Sequence, residues 1–196
     1  NVSLSANVFA GGNSPSITIS ADVLDVSASV KATGGNLALL ANTAGRGIML
    51  GGTTTSALLQ VSDSELDQLF ATNLRVGDSS TANVYIAGDI TLDSQKVPNL
   101  IIQAAGNVLA QSGAKITAAN LAIQAGGIID LVGENTVGGS VALNGSGGVS
   151  YSSAVSYSPA TVSGFTPVFG VGVAVSQTNS PAVQNRNAFL AVTFNP

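Results

Sequence analysis

The sequence predicts an all-β fold of the parallel β-solenoid type, with one short helix near residues 63–71 set against it. Three observations carry that expectation. Asn99-Leu100, Ile102-Gln103-Ala104 and Gly106 recur 21 residues later as Asn120-Leu121, Ile123-Gln124-Ala125 and Gly127. A looser third copy, Ser140-Val141-Ala142-Leu143-Asn144, begins 20 residues after Asn120. Each copy alternates apolar and polar positions over a stretch too short to bury a face alone, and copies stacked at a fixed period would bury a continuous core. Composition agrees: the chain has 196 residues, 45% of them hydrophobic but only 8% charged, with 23 glycines for tight corners.

Taken in order, residues 1–30 hold the short runs Val2-Ser3-Leu4, Ile17-Thr18-Ile19 and Val23, Leu24, Val26, broken by the turn cluster Gly11-Gly12-Asn13-Ser14-Pro15. Their period of two favours strands. Asn36-Leu37-Ala38-Leu39 opens an Asn-aliphatic unit. Ile48-Met49-Leu50 follows 11 residues after Leu37, and Leu58 to Val61 begins 21 residues after Leu37, which reads as the same period again. Ser62-x-x-Glu65 is a capping box. Leu66, Leu69 and Phe70 then follow at i, i+3 and i+4, so a helix of about two turns is expected. Strands resume at Asn73-Leu74-Arg75-Val76, Asn83-Val84-Tyr85-Ile86 and Ile90-Thr91-Leu92, and Gln95 to Pro98 turns into the repeats.

Residues 1–148 are read as solenoid rungs and 149–196 as irregular, aromatic-rich rungs or a cap. Beyond Glu134 the only charge is Arg186, and the aromatics Tyr151, Tyr157, Phe165, Phe169, Phe189 and Phe194 gather. Phe169 to Val175 and Leu190 to Phe194 read as two longer strands joined by Ser176 to Asn187. The pattern is already running at both ends, so the chain is expected to be a piece of a longer, exported protein.

Chemistry is sparse. There is no His and no Cys, the net charge is −4, and the six basic residues are scattered. The lack of a phosphate-neutralising stripe argues against nucleic-acid binding, and without Cys or His the chain has no thiolate metal ligand and lacks the commonest general base. No long apolar run suggests membrane insertion. No catalytic, cofactor or metal residue is expected. The candidate carboxylates are Asp22 with Asp25, which fall on opposite faces of a regular strand; Asp63, Glu65 and Asp67, of which Asp63 and Glu65 suit the first turn of a helix; and Asp89 with Asp93, four apart on one face, read as a solvated face or a binding pair. Asn99 and Asn120, one period apart, can stack their amides in a ladder or meet a ligand. Thr53-Thr54-Thr55 and Ile17-Thr18-Ile19 do not form the Thr-x-Thr array that ice binding requires. The late aromatics offer contact area for sugar or protein, or fill the core of a cap. Gly145 to Gly148 is a corner.

From Ser62 through Leu92, a capped Glu-Leu helix, Asn-Leu-Arg-Val-Gly, a polar turn and a Val-x-Ile-x-Gly-x-Ile-x-Leu pair resemble the repeat region of filamentous-haemagglutinin-like exoproteins of two-partner secretion. The likeness is looser across Asn36–Leu143 and does not extend past residue 148. It implies a right-handed parallel β-helix, a secreted or cell-surface location, an outer-membrane secretion partner, and roles in adhesion, aggregation or toxin delivery. A host-cell glycan or protein receptor, and self-association, follow as expected partners. The Asn-Pro-Asn motif of the secretion domain is absent, so an interior or distal piece is implied, and no functional residue carries over. The alternatives are a carbohydrate-active β-helix enzyme and a self-assembling matrix or fibre protein.

Overall fold

The computed structural model describes residues 1–52 and 57–159. Short apolar runs form short strands: β1 (Val2–Leu4), β2 (Val8–Phe9), β3 (Ser16–Ala21), β4 (Leu24–Val26), β5 (Val30–Ala41), β6 (Ile48–Leu50) and β7 (Leu59–Val61). After α1 (Asp63–Leu66) come β8 (Leu69–Val76), β9 (Val84–Ile86), β10 (Ile90–Thr91), β11 (Asn99–Ala104), β12 (Val108–Ala110) and β13 (Ile116–Ala118). The series ends with β14 (Asn120–Ala125), β15 (Ile129–Val137), β16 (Ser140–Gly145), β17 (Val149–Ser153) and β18 (Ser158–Pro159).

All the described pairings are parallel. One sheet runs β18-β16-β14-β11-β8-β5-β2, with β3 also on β5; a second runs β10-β13-β15-β12-β9-β6-β7, with β17 on β15; β1 and β4 make a small third. Register follows the sequence repeat. Leu100 lies beside Leu121, Ile102 beside Ile123 and Gln103 beside Gln124. Leu121 in turn lies beside Val141, and Leu74 lies between Leu37 and Leu100. A one-residue slip would turn every aliphatic outward, so the alternating pattern itself fixes this register.

The inward column Ile19, Leu37, Leu39, Leu74, Val76, Leu100, Ile102, Leu121, Ile123 joins Ile48, Ile86, Ile116 and Ile129 of the second sheet in one buried cluster. The outer face of the first sheet departs from the expected polar wall. Ala38, Ile101, Ala122 and Ala142 occupy outward positions yet are no more than 1% exposed. The run Leu100-Ile101-Ile102 therefore reads as a parallel strand buried on both faces rather than one half in water.

The segment 51–68 corrects two expectations. First, the span of 21 residues from Leu37 to Leu58 is not a stacking period: β7 lies on β6, Ile48 beside Leu59, and Leu37 stacks on Leu74. Asn73 follows Asn36 by 37 residues, and the length beyond one ordinary period makes β7 and α1. Second, α1 is one turn, ending at Leu66. Leu69 and Phe70 belong to β8, where Leu69 pairs with Val30 and Phe70 with Lys31. Leu66, Leu69 and Ala71 are all buried, so in-out alternation resumes at Leu69 and the strand ladder overrides the helical spacing. The capping box is as expected: the Ser62 hydroxyl accepts from the Glu65 N–H, and the Glu65 carboxylate accepts from the Ser62 N–H at 2.8 Å.

Gly77 closes β8 with φ of +76°, and a Cβ there would meet the Gln103 carbonyl and Thr81. Both the left-handed backbone and the close approach require glycine. Gly77→Ala is expected to cost about 2 kcal/mol, seen as a lowered urea midpoint with an unchanged slope.

Candidate functional site

The structure separates the candidate carboxylates and gives each local work. Asp22 accepts from the Thr43 N–H at 2.9 Å and hydroxyl at 2.6 Å and pairs with Arg46 at 3.7 Å; Asp25 accepts from the Ser3 hydroxyl at 3.0 Å. Asp63 accepts from the Thr91 N–H at 2.7 Å, and Glu65, besides capping α1, accepts from the Val26 N–H at 3.1 Å. Asp67 is the C-cap of α1, and its carbonyl accepts from the Lys96 ammonium at 3.0 Å. Asp89 holds Lys115 at 3.5 Å, whereas Asp93 caps a turn by accepting from the Gln95 N–H. β10 is only Ile90–Thr91, so Asp89 and Asp93 lie beyond its two ends instead of on one regular strand face. Among the described residues no three His, Cys, Asp or Glu side chains gather as a metal site.

These contacts set the acid response. Hydrogen bonds from the Thr43 hydroxyl and N–H outweigh desolvation and, with the charge of Arg46, hold Asp22 below the ordinary aspartate range. At Asp78, burial pushes upward, but hydrogen bonds from Ser80 and Thr81 outweigh it and the net shift is downward. A carboxyl depressed by folding adds stability above its unfolded pKa and loses it as pH falls through the folded value. With no His in the chain, stability is expected to stay flat from about pH 5 to 8 and to fall below about pH 4. Thermal unfolding across that range checks it.

Asn99 and Asn120 do stack, in a longer ladder than the repeat alone marks. Asn73 donates to Asn36 at 2.8 Å, Asn99 to Asn73 at 2.9 Å and Asn120 to Asn99 at 3.0 Å; the Asn120 oxygen then accepts from the Ser140 N–H at 2.8 Å. A second asparagine column stands at the entry to the other sheet. Asn83 accepts from the Asn107 N–H at 2.7 Å, and Asn107 from the Ile128 N–H at 2.9 Å. Asn135 is different again. It is 1% exposed and sits where β15 slips register between Leu131 and Asn135. Its oxygen accepts from Ile116 N–H at 2.8 Å, and its amide donates to the carbonyls of Leu131, Gly133 and Ser152. A lone Asn carries no periodic signal, so nothing in the sequence marks it.

One outward feature is chemically distinctive. In successive layers Phe9 lies beside Lys31 and Lys31 beside Phe70, and the next layer brings Lys96, whose carbonyl accepts from the Ala71 N–H. The Lys31 ammonium stands 4.5 Å from the Phe70 ring centre and 5.7 Å from that of Phe9; the Lys96 ammonium stands 5.3 Å from the Phe70 ring. Neither lysine has a carboxylate within ion-pair distance among the described residues, where the ion pairs are Arg46–Asp22 and Lys115–Asp89. Beside the ring a cleft of about 250 Å³ opens, lined by Thr33, Phe70, Thr72, Gln95, Lys96 and Pro98. It forms because Thr33-Gly34-Gly35 of β5 stand against Thr72 alone in β8. No motif announces this group; residues from four layers meet only when the register is known.

The remaining candidates fall elsewhere. Tyr151 and Tyr157 are 1% and 7% exposed and pack edge to face at 5.5 Å, so both fill the core and neither is a contact surface. Burial pushes both phenols upward. Thr18 lies beside Ala38, so its threonine column stops after one layer. Gly145 to Gly148 is a turn, closed by the Gly148 N–H on the Gly145 carbonyl. Thr53 to Thr55, Phe165, Phe169, Phe189, Phe194 and the strands expected at 169–175 and 190–194 lie outside the described residues. Among the described residues no helix is long and apolar enough to cross a membrane. Comparison with protein-family models, curated proteins and solved structures finds no match.

Proposed function

We propose that this chain is a right-handed parallel β-solenoid segment of a large secreted bacterial surface protein, and that it acts without catalysis as a stalk or adhesive face. An outer-membrane partner would export the parent, and a host-cell glycan or protein would be its receptor. The observation that supports the reading best is the unbroken parallel register from Ser16 through Asn36, Asn73, Asn99 and Asn120, carried on by the Asn120–Ser140 hydrogen bond and by the pairing of Ser140 with Ser158. A handed crossover between parallel strands is right-handed in nearly all proteins. Such a stack yields a long, stiff object with one repeated outer face, useful for reach and for multivalent contact. The dispersal of the carboxylates favours this over a β-helix hydrolase or lyase. Beads coated with the full chain should adhere to epithelial cells or immobilised glycans above bovine-albumin beads. Adhesion equal to that control would reduce the role to a stalk, and polysaccharide cleavage by the purified chain would overturn the reading.

Self-association has its own support. Beside β1, β2 and β3 a cavity of about 430 Å³ is lined mainly by the apolar Val2, Leu4, Val8, Ile17, Ile19 and Val30, with Thr18 and Ser20, and Phe9, next to Val8 in the chain, is 66% exposed. Sheet edges of this kind pair with further strands. Scattering mass that rises with concentration, and falls back in Ile17→Lys, would support it; a constant monomer mass would not.

A further inference from the structure

We infer that the outer face of the first sheet is a docking surface and that its occupant is residues 160–196 of the same chain. The inference is independent of the adhesive reading and holds equally for a stalk.

The register sets Ala38, Arg75, Ile101, Ala122 and Ala142 in one outward column across successive strands of the first sheet. Each of them is 5% exposed or less. Ile101 is the telling member, because it is large and its neighbour Ala122 is small. Side chains on a sheet stand roughly perpendicular to it, so neighbours screen the flanks of an isoleucine but not its tip. An exposure of 1% therefore requires something lying across the top. The outward side of the second sheet gives the contrast: Tyr85, Leu109 and Asp130 follow one another in register and each keeps part of its surface in water.

This burial is that of a single chain, so the cover is part of the same molecule. The described strands all lie in the three parallel sheets. The turns leaving the first sheet at 105–107, 126–128 and 145–148 lead straight into β12, β15 and β17, and Ala105, Gly126 and Ser146 in them are exposed. The connections into it at 119 and 138–139 are too short to cross it, and the one at 92–98 is held at the start of β8, where the Ala71 N–H donates to the Lys96 carbonyl. Leu66 of α1 belongs to the core. Residues 53–56 join β6 to β7, in the second sheet. That leaves residues 160–196. They depart from Pro159, which pairs with Val141 beside Ala142, at one end of the column. The column is about 19 Å long at one strand spacing per layer, a length that about six extended residues cross. Composition fits the place: the segment holds one charged residue, Arg186, with Phe165, Phe169, Phe189 and Phe194. The alanines leave shallow seats beside Ile101 for apolar side chains, and the asparagine ladder on the flank already pairs its own amides. A highly charged occupant would lose its hydration against such a face with little in return. With this face taken, contact with anything outside the chain falls to the corners and to the second sheet.

The test is photo-crosslinking of the full chain with p-benzoylphenylalanine in place of Gln124, which is half-buried on the outer face two residues from Ala122. A second chain carries the probe in place of Asn144, the register partner of Gln124, and guards against a probe that disturbs its own strand. A third carries it in place of Tyr85, on the outer side of the second sheet, as the control. Unlabelled and isotopically heavy chains are mixed, irradiated and digested, and the joined peptides are read by mass spectrometry. The probes at 124 and 144 should join peptides from residues 160–196, with no light–heavy pairs, and the control should join none of them. Since the chain has no cysteine, Ile101→Cys provides a second readout. Its thiol should react with a maleimide at least about tenfold more slowly than that of Thr91→Cys, at an exposed position. Links that reach only residues 1–159, links that pair light with heavy chains, no links from either outer-face probe, equal capture of residues 160–196 by the Tyr85 control, or equal thiol rates would each overturn the assignment.

Discussion

Asn135→Ala is expected to be among the most damaging substitutions in the described chain, costing about 4 kcal/mol. The side chain is 1% exposed and meets four backbone groups from three places: Ile116, then Leu131 and Gly133, then Ser152. Removing it leaves those groups without this partner, those of Ile116, Leu131 and Ser152 in buried residues, and each unsatisfied buried group costs about 1–3 kcal/mol. The need arises from β15 itself. Its start pairs with β12 and its end with β13, so it must bend, and the register slip between Leu131 and Asn135 frees backbone groups that no ladder can satisfy. Asn135→Asp would keep the acceptor for Ile116 but lose the amide N–H groups that serve the three carbonyls, and should be nearly as costly. Equilibrium urea unfolding checks both. A loss under about 1 kcal/mol for either would mean that water replaces the side chain.

Asn99→Asp should cost about 3 kcal/mol at neutral pH and recover part of that in acid. Asn99 donates to Asn73 and accepts from Asn120, so it needs both halves of its amide. An ionised carboxyl keeps the acceptor but faces the Asn73 oxygen with no proton to offer. Its pKa is raised by folding, so the penalty is present above the folded value and shrinks as pH falls through it. A protonated carboxyl donates to Asn73 as the amide did. The wild-type chain weakens in acid, so the variant and wild type should converge as pH drops from 7 to about 4. A gap that stays constant with pH would show that the ladder is not the source of the cost. Asn99→Ala loses both bonds at every pH and serves as the pH-independent reference.

Much of this fold is legible in the chain because the repeat is stacked on itself. Leu100 and Leu121 occupy equal places in two copies, and they lie side by side. The Asn ladder follows from the same spacing, and the helix cap from Ser62 and Glu65 alone. What misleads is whatever depends on contacts between unlike segments. Leu66, Leu69 and Phe70 have helical spacing, but the partners Val30 and Lys31 draw the last two into a strand. The interval from Leu37 to Leu58 matches the period by coincidence, because an inserted segment folds back on β6. Ile101 looks like an outward position that should be polar, yet it is buried. The Phe9, Lys31, Phe70, Lys96 column is invisible in the sequence, since its members are unevenly spaced and unrelated in type. Asn135 carries no pattern at all; only the bend of β15 explains it.

In the proposed solenoid each copy adds one layer at one strand spacing along a single axis. The chain has no cysteine, so spin labels can be placed in pairs at Ser16, Ser140 and Ser158. Following the paired positions, Ser16 and Ser140 are five layers apart, and Ser16 and Ser158 six. Double electron–electron resonance on the Ser16→Cys/Ser158→Cys chain should give a narrow distribution near 29 Å, about 4.8 Å per layer, with Ser16→Cys/Ser140→Cys near 24 Å. Distances that fail to grow with layer number, or a Ser16–Ser158 separation below about 15 Å, would contradict the stack and with it the proposed solenoid.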